Sequence, residues 1–338
     1  MHDAFAITPL RPGGGFLRLR HITQGAPHGP HRRRHDRLSR EGGEGGIRAR
    51  PRRRNGHHDG GHRQGRTRTV RRGRVGTDAT TCKAGDADEP FPIESVSKAI
   101  VLALALEDVG PEKVFSHVGE EPEGDPYHSI ATLEEGKKGE PSNPMINAGA
   151  IAVTSLVKAA DGEERFARIR DYMRTLADNP RIDYNHSMFE AEEKDLNRAL
   201  FYYMRNHGVV EGSEEDKLVP YFKQTSLEMD CMDLARIAAV FANGGCAPGS
   251  DTRLISAQTV RIVLTLMFTT GMYQGSGKFS VEVGIPSKSG VSGAIMAVVP
   301  GRMGFGLIGP ALDGCGNSIA GVRVLRKVVE RWNLRVFG

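Results

Sequence analysis

Residues 91–110 read FPIESVSKAIVLALALEDVG, and how that stretch folds decides the rest. From Ser95 to Asp108 helix formers occupy every side, no polar face is left, and Gly110-Pro111 ends the run. A helix that is apolar all round is buried all round, so the pattern predicts a central buried helix over 95–108. Pro92 favours an extended approach. Ser95 then stands at the helix entrance with Lys98 one turn on. A serine there is an ordinary N-cap. A lysine inside KAIVLALALE is not ordinary, because its charge is costly to bury. Residues i and i+3 share a face, so Lys98 can reach the Ser95 hydroxyl. Desolvation favours a neutral amine, the base a serine needs to become a nucleophile. The same S-x-x-K spacing recurs at Ser155/Lys158, but mid-helix in NAGAIAVTSLVKAA, where it reads as filler.

Working outward, mostly apolar or amphipathic helical patterns cover 147–159, 163–177, 188–207, 231–245 and 256–267. The pattern then changes. KFSVEVG (278–284), GAIMAVVP (293–300) and MGFGLIGP (303–310) are short runs bounded by Gly or Pro and read as strands. NSIAGVRVLRKVVERW closes the chain as a helix capped by Asn317 or Ser318. Helices, then strands, then a last helix predict an α+β protein: an antiparallel sheet with a helical cluster on one side.

The first part of the chain is different. Residues 1–80 hold 19 Arg, no Lys and six Asp or Glu, a net +13, so with +5 for all 338 residues the remainder carries −8. This Arg/Gly/His-rich stretch has no sustained apolar period and is expected to be disordered. Three readings compete: a basic arm for nucleic acid or an acidic surface, a targeting peptide, or non-native sequence such as a frameshift. Arginine without lysine fits the last best, and sparse aromatics argue against single-strand nucleic-acid binding. The expected division is 1–82, a basic segment, and 83–338, the folded body. Cys82, Cys231, Cys246 and Cys315 include no C-x-x-C pair, which fits free thiols in a reducing compartment. The longest apolar run, 99–106, is too short to cross a membrane, so a cytoplasmic protein is expected.

A second motif joins the first. GIPSKSGVSGA (284–294) places Lys288-Ser289-Gly290 on an expected strand. S-x-x-K with K-[ST]-G is the pairing of penicillin-recognising serine enzymes, in which that strand borders the cleft. More specific blocks follow in order: AGDADEPFPIESVSK (84–98), EPSNPMINAGAI (140–151), FEAEEKDLNRAL (189–200), YFKQTSLEMDCMDLA (221–235), FANGG (241–245), TTGMYQGSGKFSVEVGIPSKSGVSG (269–293) and GNSIAG (316–321). With these blocks, residues 84–338 resemble the serine-dependent glutaminases.

The resemblance implies a β-lactamase-like fold, an antiparallel sheet flanked by helices with a helical subdomain. It implies hydrolysis of L-glutamine to L-glutamate and ammonia through a γ-glutamyl ester, with no metal or cofactor. Ser95 matches the nucleophile and Lys98 its base. Asn147, Glu190, Asn197, Tyr221, Tyr273 and Val291 match substrate-binding positions, Val291 through its backbone N–H. Tyr273 or Lys98 would relay protons to the leaving amine. Glu190 and Asn197, seven residues apart, would share one helix face. The family also implies a homo-oligomer, dimer or tetramer. Thr225 and Ala294 depart from the family's usual Cys and Gly. The family's first helix and first two strands precede GDAD; here that stretch is the Arg/Gly segment, so the sheet is expected to lack two strands. Alternatives are a β-lactamase or penicillin-binding enzyme, in which EKDLN (193–197) would make Glu193 the important acid, and an inactive relic with a nucleic-acid-binding arm. No S-D-N motif supports the former.

Overall fold

A central antiparallel sheet of five strands in the order β2-β1-β7-β6-β5 organises the molecule. Its strands are β1 (Arg71–Gly76), β2 (Thr81–Ala84), β5 (Ser287–Ser289), β6 (Ala294–Val299) and β7 (Met303–Ile308). A separate two-stranded ladder pairs β3 (Phe91–Pro92) with β4 (Glu228–Met229). The helices are α1 (Ser97–Phe115), α2 (Ala131–Glu135), α3 (Asn147–Leu156), α4 (Gly162–Ala177), α5 (His186–Ala191), α6 (Asp195–Asn206), α7 (Glu214–Lys217), α8 (Val219–Thr225), α9 (Cys231–Ala242), α10 (Ala257–Thr270), α11 (Ser276–Glu282) and α12 (Ile319–Trp332). The computed structural model describes residues 70–135, 139–191 and 194–338.

Two of the sheet's strands come from residues that the sequence assigns to the basic segment. β1 lies wholly inside it and pairs with β7 from Arg71↔Ile308 to Gly76↔Met303. β2 straddles its expected end and pairs with β1 from Arg72↔Ala84 to Val75↔Thr81. The expected loss of two strands and the expected boundary at 82/83 are therefore corrected. The reason is local. In RRGRVG the residues turned toward α9 are Gly73 and Val75, and the alternate positions are Arg72 and Arg74. One valine and one glycine leave no apolar period to detect. The arginines are used structurally instead: Arg71 lies over the Phe91 ring and donates to the Glu89 carbonyl, and Arg74 lies over Trp332. Residues 1–69 of the basic segment, and Glu193, lie outside the described residues.

β6 is buried on both faces, which is why it reads as a continuous apolar run. Ala294, Met296 and Val298 join the core formed with α1 and α9. Ile295, Ala297 and Val299 join Phe305, Leu307 and the Leu325 and Val329 of α12. Helices thus cover both faces, as the resemblance implied, rather than the one side suggested by the order of elements. On β7, Gly304 and Gly306 let α9 lie directly on the sheet. A Cβ at either would run into the α9 backbone at Ala235, Ala239 or Cys231. A third core, including Ile151, Phe201, Met204, Tyr221 and Phe222, forms the helical half.

The opening stretch behaves as read. Residues 97–106 of α1 are all buried, and Gly110 (φ 78°, ψ 164°) breaks the helix before Pro111 restarts it. Other expectations fail for identifiable reasons. KFSVEVG is not a strand but α11: Phe279 and Val283 lie four residues apart and both enter the core, while Val281 is 82% exposed. The F-x-V-x-V alternation concealed an i, i+4 pair. The single helix expected over 188–207 is two, α5 and α6. Short α8, whose Pro220 sits in its first turn, was not anticipated.

The sheet gives the first test. A chain beginning at Lys83 lacks β1 and leaves the edge of β7 and the face of α9 open. Full-length protein is expected to unfold cooperatively in urea by circular dichroism, and the truncated chain to show no cooperative transition. An unchanged midpoint after truncation would place β1 outside the folded unit.

Candidate active site

Ser95 lies in a 3₁₀ turn, Glu94–Val96, immediately before α1. The β3–β4 ladder delivers the chain there, and the Ile93 N–H donates to the Leu227 carbonyl. The helix cap is Val96 and carries no side-chain hydrogen bond, so Ser95 does not serve as the N-cap that its position suggested. Glu94 has φ +44°, and across the site Tyr273 has φ +53°. A left-handed non-glycine residue costs about 1–3 kcal/mol, and such strain gathers at functional sites.

Tyr273 is reached from the other half of the molecule. It follows α10, and its hydroxyl donates to the Ser289 carbonyl at 3.0 Å, on β5. The Ser95 hydroxyl lies by the Tyr273 side chain and pulls its value down against the larger effect of burial. The phenolic proton goes to the Ser289 carbonyl, which leaves the phenol oxygen able to accept from Ser95. Burial pushes Tyr273 well above the ordinary phenol value, and it stays neutral. β5 comes this close because Gly290 follows it: a Cβ there would sit 2.8 Å from the Ile93 carbonyl oxygen.

Lys98 is 1% exposed. Its Nζ donates to Asn147 Oδ1 at 2.6 Å and to the Met145 carbonyl at 3.5 Å. Asn147 Nδ2 donates in turn to Asn197 Oδ1 at 3.0 Å, so α1, α3 and α6 meet through one hydrogen-bonded chain. Asn147, Glu190, Asn197, Tyr127 and His128 line an open cleft of about 740 Å³. Glu190 is exposed on α5 and Asn197 is buried on α6, so they face one cleft from two helices rather than from one helix face. Tyr221 lies in the helical core at 2% exposure, and Val291 follows β5 at 37% exposure. The structure therefore joins Ser95 with Tyr273, and Lys98 with Asn147 and Asn197. It sets Tyr221 deeper and Val291 at the rim.

Two contributors escaped the sequence. Tyr127 stands in a loop without motif or period. Its ring centroid is 4.5 Å from that of Tyr273 and 5.7 Å from Lys98 Nζ, and it also borders a second cavity of about 270 Å³. Burial, with the Glu94 charge, raises its hydroxyl. Lys288 was read as motif only. It is fully buried, donates to the Ser289 carbonyl at 2.7 Å and the Gly271 carbonyl at 3.2 Å, and lies 4.4 Å from the Tyr273 ring centroid. Burial, then the charge of Lys98, hold its amine well below the ordinary lysine value. Among the described residues no group of three or more His, Cys, Asp or Glu is placed to hold a metal ion, and no helix is long and apolar enough to cross a membrane.

The chain as a whole has known counterparts. The family model described as Glutaminase matches residues 74–337, beginning inside β1. A glutaminase of Shouchella clausii (strain KSM-K16) is 49% identical over 256 residues, 75% of this chain and 83% of that protein. Glutaminase 2 of Clostridium perfringens (strain 13 / Type A) is 48% identical over 265 residues, 78% of this chain and 87% of that protein. Among solved structures, a Bacillus glutaminase crystallised with 4.3 M NaCl superimposes with a TM-score of 0.77 at 36% identity, covering 79% of this chain and 92% of that one.

The buried amine of Lys288 supplies a test. The unfolded chain keeps that proton up to about pH 10.4, whereas the folded protein releases it at lower pH. Stability therefore rises with pH between the two values and falls as pH drops toward the folded one. Urea midpoints measured from neutral pH to about 10 are expected to carry this rise, and Lys288→Met to flatten it. An identical slope in the variant would mean that Lys288 titrates as an ordinary lysine.

Proposed function

The chain belongs to the glutaminase family, and from that premise we propose that it hydrolyses L-glutamine to L-glutamate and ammonia through an acyl-enzyme on Ser95. The observation that carries this reading is the buried junction where Ser95 meets Tyr273, with Lys98 one helical turn away. Glutamine enters the open cleft with its α-amino group toward the Glu190 carboxylate. Asn147 and Asn197 take its polar groups, and Tyr221 closes the inner wall.

Lys98 accepts the Ser95 proton as Oγ attacks the δ-carbon of the substrate. The C=O electron pair moves to oxygen, and the backbone N–H groups of Ser95 and Val291 receive the oxyanion. The C–N bond then breaks, the Lys98 ammonium or the neutral Tyr273 phenol supplies the proton, and ammonia leaves. Water adds to the γ-glutamyl ester by the same route, and Ser95 recovers its proton as glutamate departs. The steps call on no metal or cofactor. The same reading makes the working enzyme a cytoplasmic homo-oligomer, a dimer or tetramer.

Ammonia release from L-glutamine tests it. Ser95→Ala is expected to lower kcat about 10³-fold or more while leaving the urea midpoint in place. Wild-type activity in Ser95→Ala would remove the serine mechanism. Glu190→Gln is expected to raise KM about 10-fold or more, because one charged contact to the substrate is lost.

A further inference from the structure

The buried site contains an ordered stack of which the proposed hydrolysis uses only Lys98 and Tyr273. Its order is amine, ring, ring, amine: Lys98 Nζ against Tyr127, Tyr127 against Tyr273 with planes tilted by 34°, and Tyr273 against Lys288 Nζ. Tyr273 is thus held on both faces. Its phenol meets Ser95, and its backbone is left-handed, a conformation that persists only where the surroundings enforce it.

We propose that Lys288 and Tyr127 are positioning residues that clamp the Tyr273 ring, so that its phenol stays against Ser95. The inference rests on the reading of Ser95 as nucleophile. Each arm of the clamp has its own anchor. Lys288 is tied to the carbonyls of Gly271, two residues before Tyr273, and of Ser289, which also accepts from the Tyr273 hydroxyl. One carbonyl therefore fixes the phenol and the amine that faces its ring. Tyr127 is tied through its own carbonyl to the N–H of Asn147, whose side chain accepts from Lys98. The two arms come from opposite halves of the molecule, so ring placement reports on the alignment of both. A ring face attracts an ammonium and a tilted neighbouring ring, and neither contact requires the phenol hydroxyl, which is left free for Ser95 and Ser289.

The competing role for Lys288 is that of a core lysine that only satisfies two carbonyls. The two roles separate in kinetics. In full-length protein, Lys288→Met and Tyr127→Leu are each expected to lower kcat for ammonia release about 10–100-fold, with KM changed by less than about threefold. Tyr127→Phe, which keeps the ring, is expected to recover kcat to within about threefold of wild type. In a Tyr273→Phe background both losses are expected to shrink below about twofold, because the clamp acts through the phenol.

Wild-type kcat in both Lys288→Met and Tyr127→Leu would overturn the clamp. So would losses confined to KM, failure of Tyr127→Phe to recover kcat, or full losses retained without the phenol. If Lys288→Met does not fold, half-buried Tyr127 carries the decision. If Tyr273→Phe is too slow to measure, the kcat-against-KM split and the Tyr127→Phe recovery decide. Wild type and Ser95→Ala run in the same assay. Activity present in the first and absent in the second, together with an overturned clamp, rejects the clamp alone. No ammonia from wild type rejects the glutaminase reading and the clamp with it.

Discussion

The seam between the end of β5 and the turn that enters α1 is the contact on which the site depends. Gly290 allows the strand to close on the Ile93 carbonyl, and the Ser289 N–H donates to Gly271. The Ser289 carbonyl then receives both the Tyr273 hydroxyl and the Lys288 amine. A side chain at 290 would push β5 away from the turn that bears Ser95. Two left-handed residues, Glu94 and Tyr273, sit on either side of this seam. Strain of that kind is kept only when packing determines the backbone from several directions. Here the sheet, α10 and the β3–β4 ladder do so together.

Electrostatics follow from the same closeness. Lys98 and Lys288 are both buried, and each amine lies by an aromatic face. Lys288 donates to two carbonyls, and Lys98 donates to an amide and a carbonyl among its contacts. Two ammonium charges in one dry region repel, and desolvation penalises each. The direction for Lys288 is accordingly downward. The phenols move the opposite way, Tyr273 and Tyr127 both upward, because their charged form is the deprotonated one. One burial effect thus favours a neutral amine and neutral phenols side by side.

Much of the architecture was legible where burial was complete on all sides or periodic. α1 had no polar face and β6 no polar residue, and both lie where such runs must lie. α12 announced itself by its cap, and Ser318 indeed accepts from the Gly321 N–H. Legibility failed where one residue's environment was set by something distant. β1 is a strand because β7 and α9 accept it, although its own alternation is arginine against glycine and valine. α11 is a helix because Phe279 and Val283 enter a core closed by α12, a choice that the local alternation contradicts.

Residue types at fixed spacing were enough to determine the family, through ordered blocks, and to put forward its proposed chemistry: a serine one turn before a buried lysine, and a K-S-G strand. They could do so because spacing within one element fixes what its own side chains can reach. The tertiary structure alone decided which phenol Ser95 meets, that Lys98 is held by Asn147, and that Tyr127 and Lys288 face the two sides of Tyr273. Those contacts join residues far apart in the chain, and their geometry depends on how closely the sheet, α9 and the α1 turn can approach. That approach is governed by a few glycines whose missing side chains carry no local signal of what they leave room for.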